Sequence, residues 1–295
     1  MVMARSPAFK PRGPGDPRSA DNVTLMSATG SDPAAPLHPG VAVSVTVAGV
    51  AAMLLGAALA SDHGLRAALG VGSTLLAVPA MVALLALRSG WWRLALGLGA
   101  LPPRTLALSA LLGAALWVGS IGLLETQSLL LPPTPEYLAT FREIHRALAP
   151  KDALDALVSV AVIALIPALA EELVVRGVLL PSLVRPIGPL QAVGASALLF
   201  ALMHFDSYRF LFTLAIGFVF GALRLRTRSL WPPIFAHAAL NSLTFVVAPL
   251  VDDPAQTTYT PQPALGLACL TAGAALAVPL LRALRPPVDS GRAGP

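Results

Sequence analysis

Long apolar stretches, each of about 20 residues, constrain the fold of this chain more than any other feature of its sequence. A helix needs roughly 20 apolar residues to cross the hydrocarbon core of a bilayer. The pattern predicts eight such helices, separated by short polar or proline-containing connections. They lie at about 41–61, 67–87, 105–130, 152–183, 190–204, 208–225, 230–250 and 264–284.

Composition distinguishes a helical membrane protein from the other fold classes. Of the 295 residues, 56% are hydrophobic and only 12% are charged, whereas about 25% of the residues in a soluble domain are charged. The apolar residues are mainly Leu, Ala and Val in continuous runs. A lipid-facing barrel would instead alternate apolar and polar residues and carry aromatic girdles. We therefore predict an all-α, polytopic membrane helix bundle.

The basic residues predict the orientation of this bundle. The net charge is +5, but the lysines and arginines lie in the connections between apolar stretches, which does not favour nucleic acid as a partner. If eight helices cross, fourteen of the 20 basic residues fall on the side of the N terminus, five fall opposite, and Arg176 lies within a span. Because short cytoplasmic loops are enriched in Lys and Arg, both termini are expected in the cytoplasm.

Four segments make up the predicted domain organisation. Residues 1–38 are polar and rich in Pro, Gly and Ser, which predicts a disordered cytoplasmic segment without a signal peptide. Residues 39–150 form the N-terminal membrane helices, and 151–250 form the core that carries the chemistry. Residues 251–295 contain the last helix and a cytoplasmic tail. The Ala-, Arg-, Pro- and Gly-rich composition favours a bacterial inner membrane as the location.

Polar residues inside the predicted spans mark the functional site. An ionisable side chain at the bilayer centre costs about 2.5–3.5 kcal/mol on insertion scales, so each one needs an explanation. Most spans contain none. The exceptions gather in the second half of the chain and are Glu171, Glu172, Arg176, His204, His237 and Asn241.

The spacing of these residues predicts how they face one another. Glu172 and Arg176 are four apart and share a helical face, which favours an ion pair. Glu171 is rotated by about 100° from Glu172 and cannot face the same way. We expect Arg176 to neutralise Glu172 and Glu171 to face a water-filled cavity, although spacing alone also permits the reverse. His237 and Asn241, again four apart, point into one space.

These groups suffice for peptide-bond hydrolysis without a covalent intermediate. A carboxylate such as Glu171 can take a proton from water, and an imidazole such as His204 can help to hold that water. His237 and Asn241 can donate hydrogen bonds to a developing oxyanion. The chain has no GxSxG elbow and no HExxH zinc motif.

Two short helices predict where this chemistry lies in the membrane. The spans at about 190–204 and 208–225 reach only about 22–27 Å, which is less than a hydrocarbon core of about 30 Å. Their connecting turn is therefore expected inside the membrane beside a cavity. We expect that cavity to open to the cytoplasm or laterally to lipid. Asp206 and Arg209 are interpreted as turn residues, with a place at the entrance of the site as the alternative, and His145 as part of a polar connection.

Three short patterns resemble the CPBP family, the CAAX-protease and bacteriocin-processing membrane proteins that include the prenyl-protein endopeptidase of the endoplasmic reticulum. The family pattern EExxxR matches residues 171–176, FxxxH matches 200–204, and HxxxN matches 237–241. The resemblance covers about residues 150–250. Each pattern alone is weak, but three in order, each within a predicted span, make the resemblance specific.

The resemblance implies a role for each matching residue. Glu171 would be the general base that activates water, and His204 would help to bind that water. His237 and Asn241 would stabilise the oxyanion, while Glu172 and its arginine partner would support the site. The implied activity is that of an intramembrane endopeptidase acting on a membrane-embedded or lipid-anchored protein or peptide.

The resemblance leaves the question of a metal open. In a zinc-dependent version, Glu171, His204 and His237 would be the ligands, with one position open. We favour a metal-free glutamate protease without a cofactor, because Asn241 is an unusual zinc ligand and the sequence places no carboxylate behind either histidine.

Two other classes of membrane protein remain as alternatives. A transporter also carries ionisable residues within the membrane, but it usually shows internal repeats, which this chain lacks. A non-catalytic scaffold with the same fold is expected to have lost at least one motif residue, and all are present here.

Overall fold

The computed structural model describes residues 37–86, 96–251 and 259–284, and the described chain is helical. Nine helices lie in these residues. They are α1 (Pro39–Ala60), α2 (Leu65–Ala86), α3 (Pro103–Ser128), α4 (Pro135–Leu148), α5 (Ala153–Ile187), α6 (Pro189–Leu202), α7 (Phe210–Thr227), α8 (Trp231–Val251) and α9 (Pro263–Ala283). Apart from α4, they match the eight predicted spans in order. The predicted disordered segment, except for its last two residues, and nearly all of the predicted tail lie outside the described residues.

Local sequence signals explain where several helices begin. Proline occupies one of the first two positions of α1, α3, α4, α6 and α9, where its missing N–H costs no helical hydrogen bond. The side chains of Thr134 and Asp152 accept hydrogen bonds from the backbone N–H groups of Tyr137 and Asp155, and so cap α4 and α5. Gly188, at a φ of 83°, ends α5 and allows α6 to begin at once.

Six of the described helices are long and apolar enough to cross a membrane, namely α1, α2, α3, α5, α7 and α9. Helix α8 has a comparable length of 21 residues, whereas α6 has only 14. Large apolar side chains on the outside of the bundle remain exposed, as in Leu59 at 72% and Leu154 at 73%. A surface of this kind is suited to lipid. The predicted polytopic, all-α membrane fold is confirmed, and the chain is an integral membrane protein.

Small residues allow the helices to approach closely. A Cβ placed on Gly113 of α3 would lie 2.1 Å from the carbonyl oxygen of Ala236 in α8. One placed on Gly122 of α3 would lie 2.4 Å from the backbone nitrogen of Leu270 in α9. Glycine is therefore required at both contacts, as is common where membrane helices pack backbone to backbone.

The bundle has two ends, which we name by what they contain. The terminal end holds the start of α1 and the end of α9, where the Arg226 Nε donates to the Leu284 carbonyl at 2.7 Å. The distal end holds the α1–α2 turn, α4 and the turn at residues 203–209. Arg66 ties this end together, because its guanidinium pairs with Asp155 and donates to the Leu148 carbonyl.

Helix α6 ends earlier than predicted. It stops at Leu202, so His204 lies in the following turn and not in the helix. Phe205 has a φ of 51°, a left-handed conformation that a helix cannot continue through. At 14 residues, α6 spans about 21 Å, which keeps His204 well inside the bundle.

Candidate active site

A cavity of about 500 Å³ lies in the distal half of the bundle. Helices α1, α2, α4, α5, α7 and α8 and the turn at residues 203–209 contribute to its wall, which is mostly apolar. Four of the predicted site residues line it, namely Glu171, His204, His237 and Asn241. The tertiary structure thus brings together residues that are up to 70 positions apart in the sequence.

The cavity lies nearer to one end of the bundle than to the other. Its wall includes Phe141 and Leu148 of α4 and Phe205 of the 203–209 turn, all at the distal end. The start of α1 and the end of α9 lie at the opposite end. If both termini are cytoplasmic, as the charge bias predicts, the cavity lies in the non-cytoplasmic half. Glu171 lies about midway along the 35 residues of α5.

Glu171 lies where three polar side chains converge. Its carboxylate is 15% exposed, and its Oε2 atom lies 3.7 Å from the Nε2 of His204 and 3.8 Å from the Nε2 of His237. These distances exceed a direct hydrogen bond. Oε2 is buried and has no hydrogen-bond partner among the described residues. The separation therefore leaves a polar space between one carboxylate and two imidazoles.

The two histidines are held in the same way, with Nδ1 engaged and Nε2 facing Glu171. The Nδ1–H of His204 donates to the Phe200 carbonyl at 2.7 Å. The Nδ1–H of His237 donates to the Glu172 Oε1 at 2.9 Å. Such hydrogen bonds fix the tautomer of an imidazole and the direction of its ring. Both rings are therefore positioned to act on a group beside Glu171.

Glu172 and Arg176 form the predicted ion pair, and both side chains are fully buried. The Arg176 Nη1 donates to Glu172 Oε1 at 2.9 Å, and its Nη2 donates to the Gly217 carbonyl at 2.9 Å. Because Glu172 accepts hydrogen bonds from both Arg176 and His237, it connects the ion pair to the site. Glu171, by contrast, faces the cavity, as the spacing had favoured.

Two phenylalanines hold this pair, and sequence reasoning assigned neither a role. The Arg176 guanidinium carbon lies 4.4 Å from the centroid of the Phe200 ring and 5.6 Å from that of Phe220. The Phe220 ring also lies 5.2 Å from that of His237. A buried arginine in an apolar segment is itself a signal, since aromatic faces stabilise a desolvated cation.

Helix α5 is irregular on both sides of Glu171 and Glu172. Two π-helical stretches, Ala161–Leu165 and Leu173–Leu179, flank the α-helical turn that carries both glutamates. Such bulges are frequent at functional sites because they change the direction of side chains within a continuous helix. No signal in the sequence predicted them.

Asn241 lines the cavity one helical turn after His237. His145 and Arg209 also line it, so they belong to the same space as Glu171. For Arg209 this agrees with the alternative that it lines the site, whereas the interpretation of His145 as a residue of a polar connection is incomplete.

Asp206 organises the turn that carries His204. It accepts hydrogen bonds from the Arg209 backbone N–H at 2.9 Å, the Arg209 Nε at 2.7 Å and the Tyr137 hydroxyl at 3.1 Å. Burial would raise the pKa of Asp206, but the hydrogen bonds and positive charge of Arg209 hold it below the ordinary value. Burial raises the pKa of Tyr137. The turn is thus clamped to α4 by a charged network.

The distances between the candidate ligands can be compared with those of a zinc site. Ligands arranged tetrahedrally around zinc would lie about 3.4 Å from one another, somewhat closer than the 3.7 and 3.8 Å measured from Glu171 to the two histidines. No three His, Cys, Asp or Glu side chains among the described residues are grouped so that they hold a metal ion. One observation favours zinc, because Glu172 is the carboxylate behind His237 that sequence reasoning did not find.

Fold and site together define a class of protein: a polytopic membrane protein with a carboxylate–imidazole site buried among its helices. Residues 153–243 match the family described as "Type II CAAX prenyl endopeptidase Rce1-like". The curated protein "Putative membrane peptidase YdiL" of Bacillus subtilis (strain 168) is 36% identical over 77 residues, which are 26% of this chain and 31% of that protein. Over these residues the chain is similar to CAAX-protease-like membrane proteins, which agrees with the resemblance to the CPBP family.

The matches cover only part of each chain. The aligned segment spans less than a third of the length of the Bacillus relative. No solved structure gives a significant match. All six site residues predicted from the sequence fall within the segment matched by the family. That relative comes from a bacterium, which agrees with the predicted location in a bacterial inner membrane.

Proposed function

We propose that this protein is an intramembrane endopeptidase in which Glu171 activates a water molecule to hydrolyse a peptide bond. The observation that carries the proposal is the meeting of the Glu171 carboxylate with the Nε2 atoms of His204 and His237 in one cavity. The apolar wall of that cavity suits a membrane-embedded or lipid-anchored polypeptide as substrate. The lipid bilayer is its environment.

The charges around His237 favour its role as a donor. Glu171 and Glu172 bring two negative charges into a buried site, and Arg176 brings one positive charge. Unbalanced buried charge is costly. The Nδ1 side of His237 faces Glu172, and its Nε2 faces the cavity beside Glu171. In the proposed reaction this Nε2 serves as a donor toward the cavity.

The reaction follows from these positions. A water bound between Glu171 and His204 gives a proton to the Glu171 carboxylate while its oxygen adds to the peptide carbonyl carbon. The developing oxyanion accepts hydrogen bonds from the His237 Nε2–H and the Asn241 amide. Glu171 then passes the proton to the leaving nitrogen as the C–N bond breaks. A carboxylic acid and an amine are released, and no cofactor enters a step.

The test compares Glu171→Gln with a matched surface variant. The full-length protein in nanodiscs is incubated with a library of apolar peptides, and products are detected by mass spectrometry. We expect Glu171→Gln to lower the cleavage rate by about 10²–10⁴-fold, which is the usual contribution of a general base. Glu143→Gln, on an exposed position of α4, should leave it unchanged. Equal cleavage by wild type and Glu171→Gln would refute the role of Glu171.

The zinc-dependent alternative is kept because Glu172 stands behind His237. In that version, Glu171, His204 and His237 would hold the ion, and the ion would polarise the carbonyl and the water. A chelator distinguishes the two versions. Activity that survives a chelator supports the metal-free mechanism, whereas activity that is lost and then restored by added zinc overturns it.

A further inference from the structure

We propose that Arg209 binds a carboxylate of the substrate and thereby determines which peptide bond reaches Glu171. The inference rests on the proposed function and names a specificity-determining residue for it. Arg209 is the single arginine or lysine among the described residues that line the cavity. A cation at an otherwise mainly apolar wall selects for an anionic group on the ligand.

The guanidinium of Arg209 is anchored through one nitrogen and keeps further hydrogen-bond donors for a ligand. Its Nε donates to Asp206 Oδ2 at 2.7 Å, and its backbone N–H donates to Asp206 Oδ1 at 2.9 Å. Within the described part of the chain, neither of its two terminal nitrogens has a hydrogen-bond partner, and the side chain is 41% exposed. One edge of the guanidinium is thus anchored, and the two Nη groups remain as parallel donors.

Parallel N–H donors match the geometry of a carboxylate. Arginine binds carboxylates through two such hydrogen bonds, which add both strength and directional specificity. Anchoring by Asp206 reduces the freedom that the side chain would lose on binding. Asp206 is itself held by the Tyr137 hydroxyl at 3.1 Å, so the receptor is built into the wall of the cavity.

Chain geometry limits how far the scissile bond lies from this carboxylate. Arg209 is five positions after His204, and an extended chain spans at most about 3.3–3.6 Å per residue. Their Cα atoms are therefore within about 18 Å of each other. About five or six residues of a substrate bound in an extended conformation cover this distance, so the bond at Glu171 would lie about that many residues from the carboxylate on Arg209.

Two sources supply a carboxylate at that distance, a free C terminus and an acidic side chain. Three apolar decapeptides distinguish them: one with a free C-terminal carboxylate, one amidated, and one amidated with an aspartate near its end. Binding is measured with the full-length Glu171→Gln protein in nanodiscs, so that turnover does not interfere. Cleavage of the same peptides is measured separately with the Glu171 protein.

We expect the free acid to bind about three- to tenfold more tightly than the amide. Arg209→Gln, introduced into the Glu171→Gln protein, should remove this preference, and Arg209→Lys should keep part of it. Arg104→Gln, at an exposed position at the start of α3, is the control and should keep all of it. If the aspartate peptide binds as tightly as the free acid, Arg209 accepts a side-chain carboxylate. If it binds as weakly as the amide, Arg209 requires a C-terminal carboxylate.

A second measurement uses the protein without substitutions, so that misfolding of a variant cannot affect the result. Phenylglyoxal modifies arginine, and mass spectrometry locates the modified residue. The acid peptide should slow modification of Arg209, and the amide should not. Equal binding of acid and amide, a preference that survives Arg209→Gln, or equal protection by both peptides would overturn the proposal. Cleavage that depends on Glu171 but ignores the carboxylate would overturn it while leaving the proposed function intact.

Discussion

Replacing Arg176 with methionine tests the buried pair that supports the site. The substitution leaves Glu172 at 0% exposure with His237 as its remaining partner, and removes a donor from the Gly217 carbonyl. Breaking a buried ion pair by deleting one member costs about 3–5 kcal/mol, because the other charge stays buried.

A double-mutant cycle separates the pair from its surroundings. Glu172→Gln should also destabilise the protein, since it leaves the Arg176 charge buried. The double variant Glu172→Gln/Arg176→Met buries no unpaired charge of this pair. We therefore expect its cost to be smaller than the sum of the single costs by about 2–3 kcal/mol.

Unfolding by SDS in mixed micelles provides the measurement. Arg104→Met, a change at an exposed position, is the control and should alter the free energy of unfolding by less than about 0.5 kcal/mol. A coupling energy below about 0.5 kcal/mol between positions 172 and 176 would show that the two charges do not stabilise one another, and the account of the site would fail.

Two further predictions concern the packing and the turn. Gly113→Ala places a Cβ 2.1 Å from the Ala236 carbonyl oxygen, next to His237. The resulting shift of α8 should destabilise the protein by about 1–3 kcal/mol and lower the cleavage rate about tenfold or more. Gly119→Ala is the control and should be tolerated, because its Cβ would lie 3.8 Å from the nearest neighbouring atom. Asp206 has a lowered pKa in the folded protein, so its contribution to stability is present above its unfolded pKa of about 3.9 and is lost as the pH falls through the folded value. Thermal unfolding should therefore show Asp206→Asn to be less stable than wild type at pH 7 and equal to it at the lowest pH; an unchanged difference across that range would contradict the assignment.

Some features followed from the sequence because they depend on local spacing. Apolar runs of about 20 residues predicted the spans, since crossing a bilayer requires that length. The interval of four between Glu172 and Arg176 predicted their ion pair, because helical residues at that spacing are neighbours. The polar residues within spans identified the site, because lipid makes each of them costly.

Other features depended on contacts between distant segments, and sequence spacing does not encode them. Glu172 receives a hydrogen bond from His237, which is 65 residues away, so the second role of this glutamate was not visible. The left-handed Phe205 ends α6 and moves His204 into a turn. Packing of the 203–209 turn and α4 at the distal end decided where the cavity lies.

Sequence alone therefore determined that the chain is a membrane helix bundle with a polar site in its second half. The tertiary structure decided which glutamate faces the cavity, how each histidine is oriented, and that Arg209 shares their space. The physical reason is the distance along the chain over which each interaction acts. Hydrophobic length and helical periodicity act within a single segment, whereas the direction of a side chain in a cavity depends on every helix that packs around it.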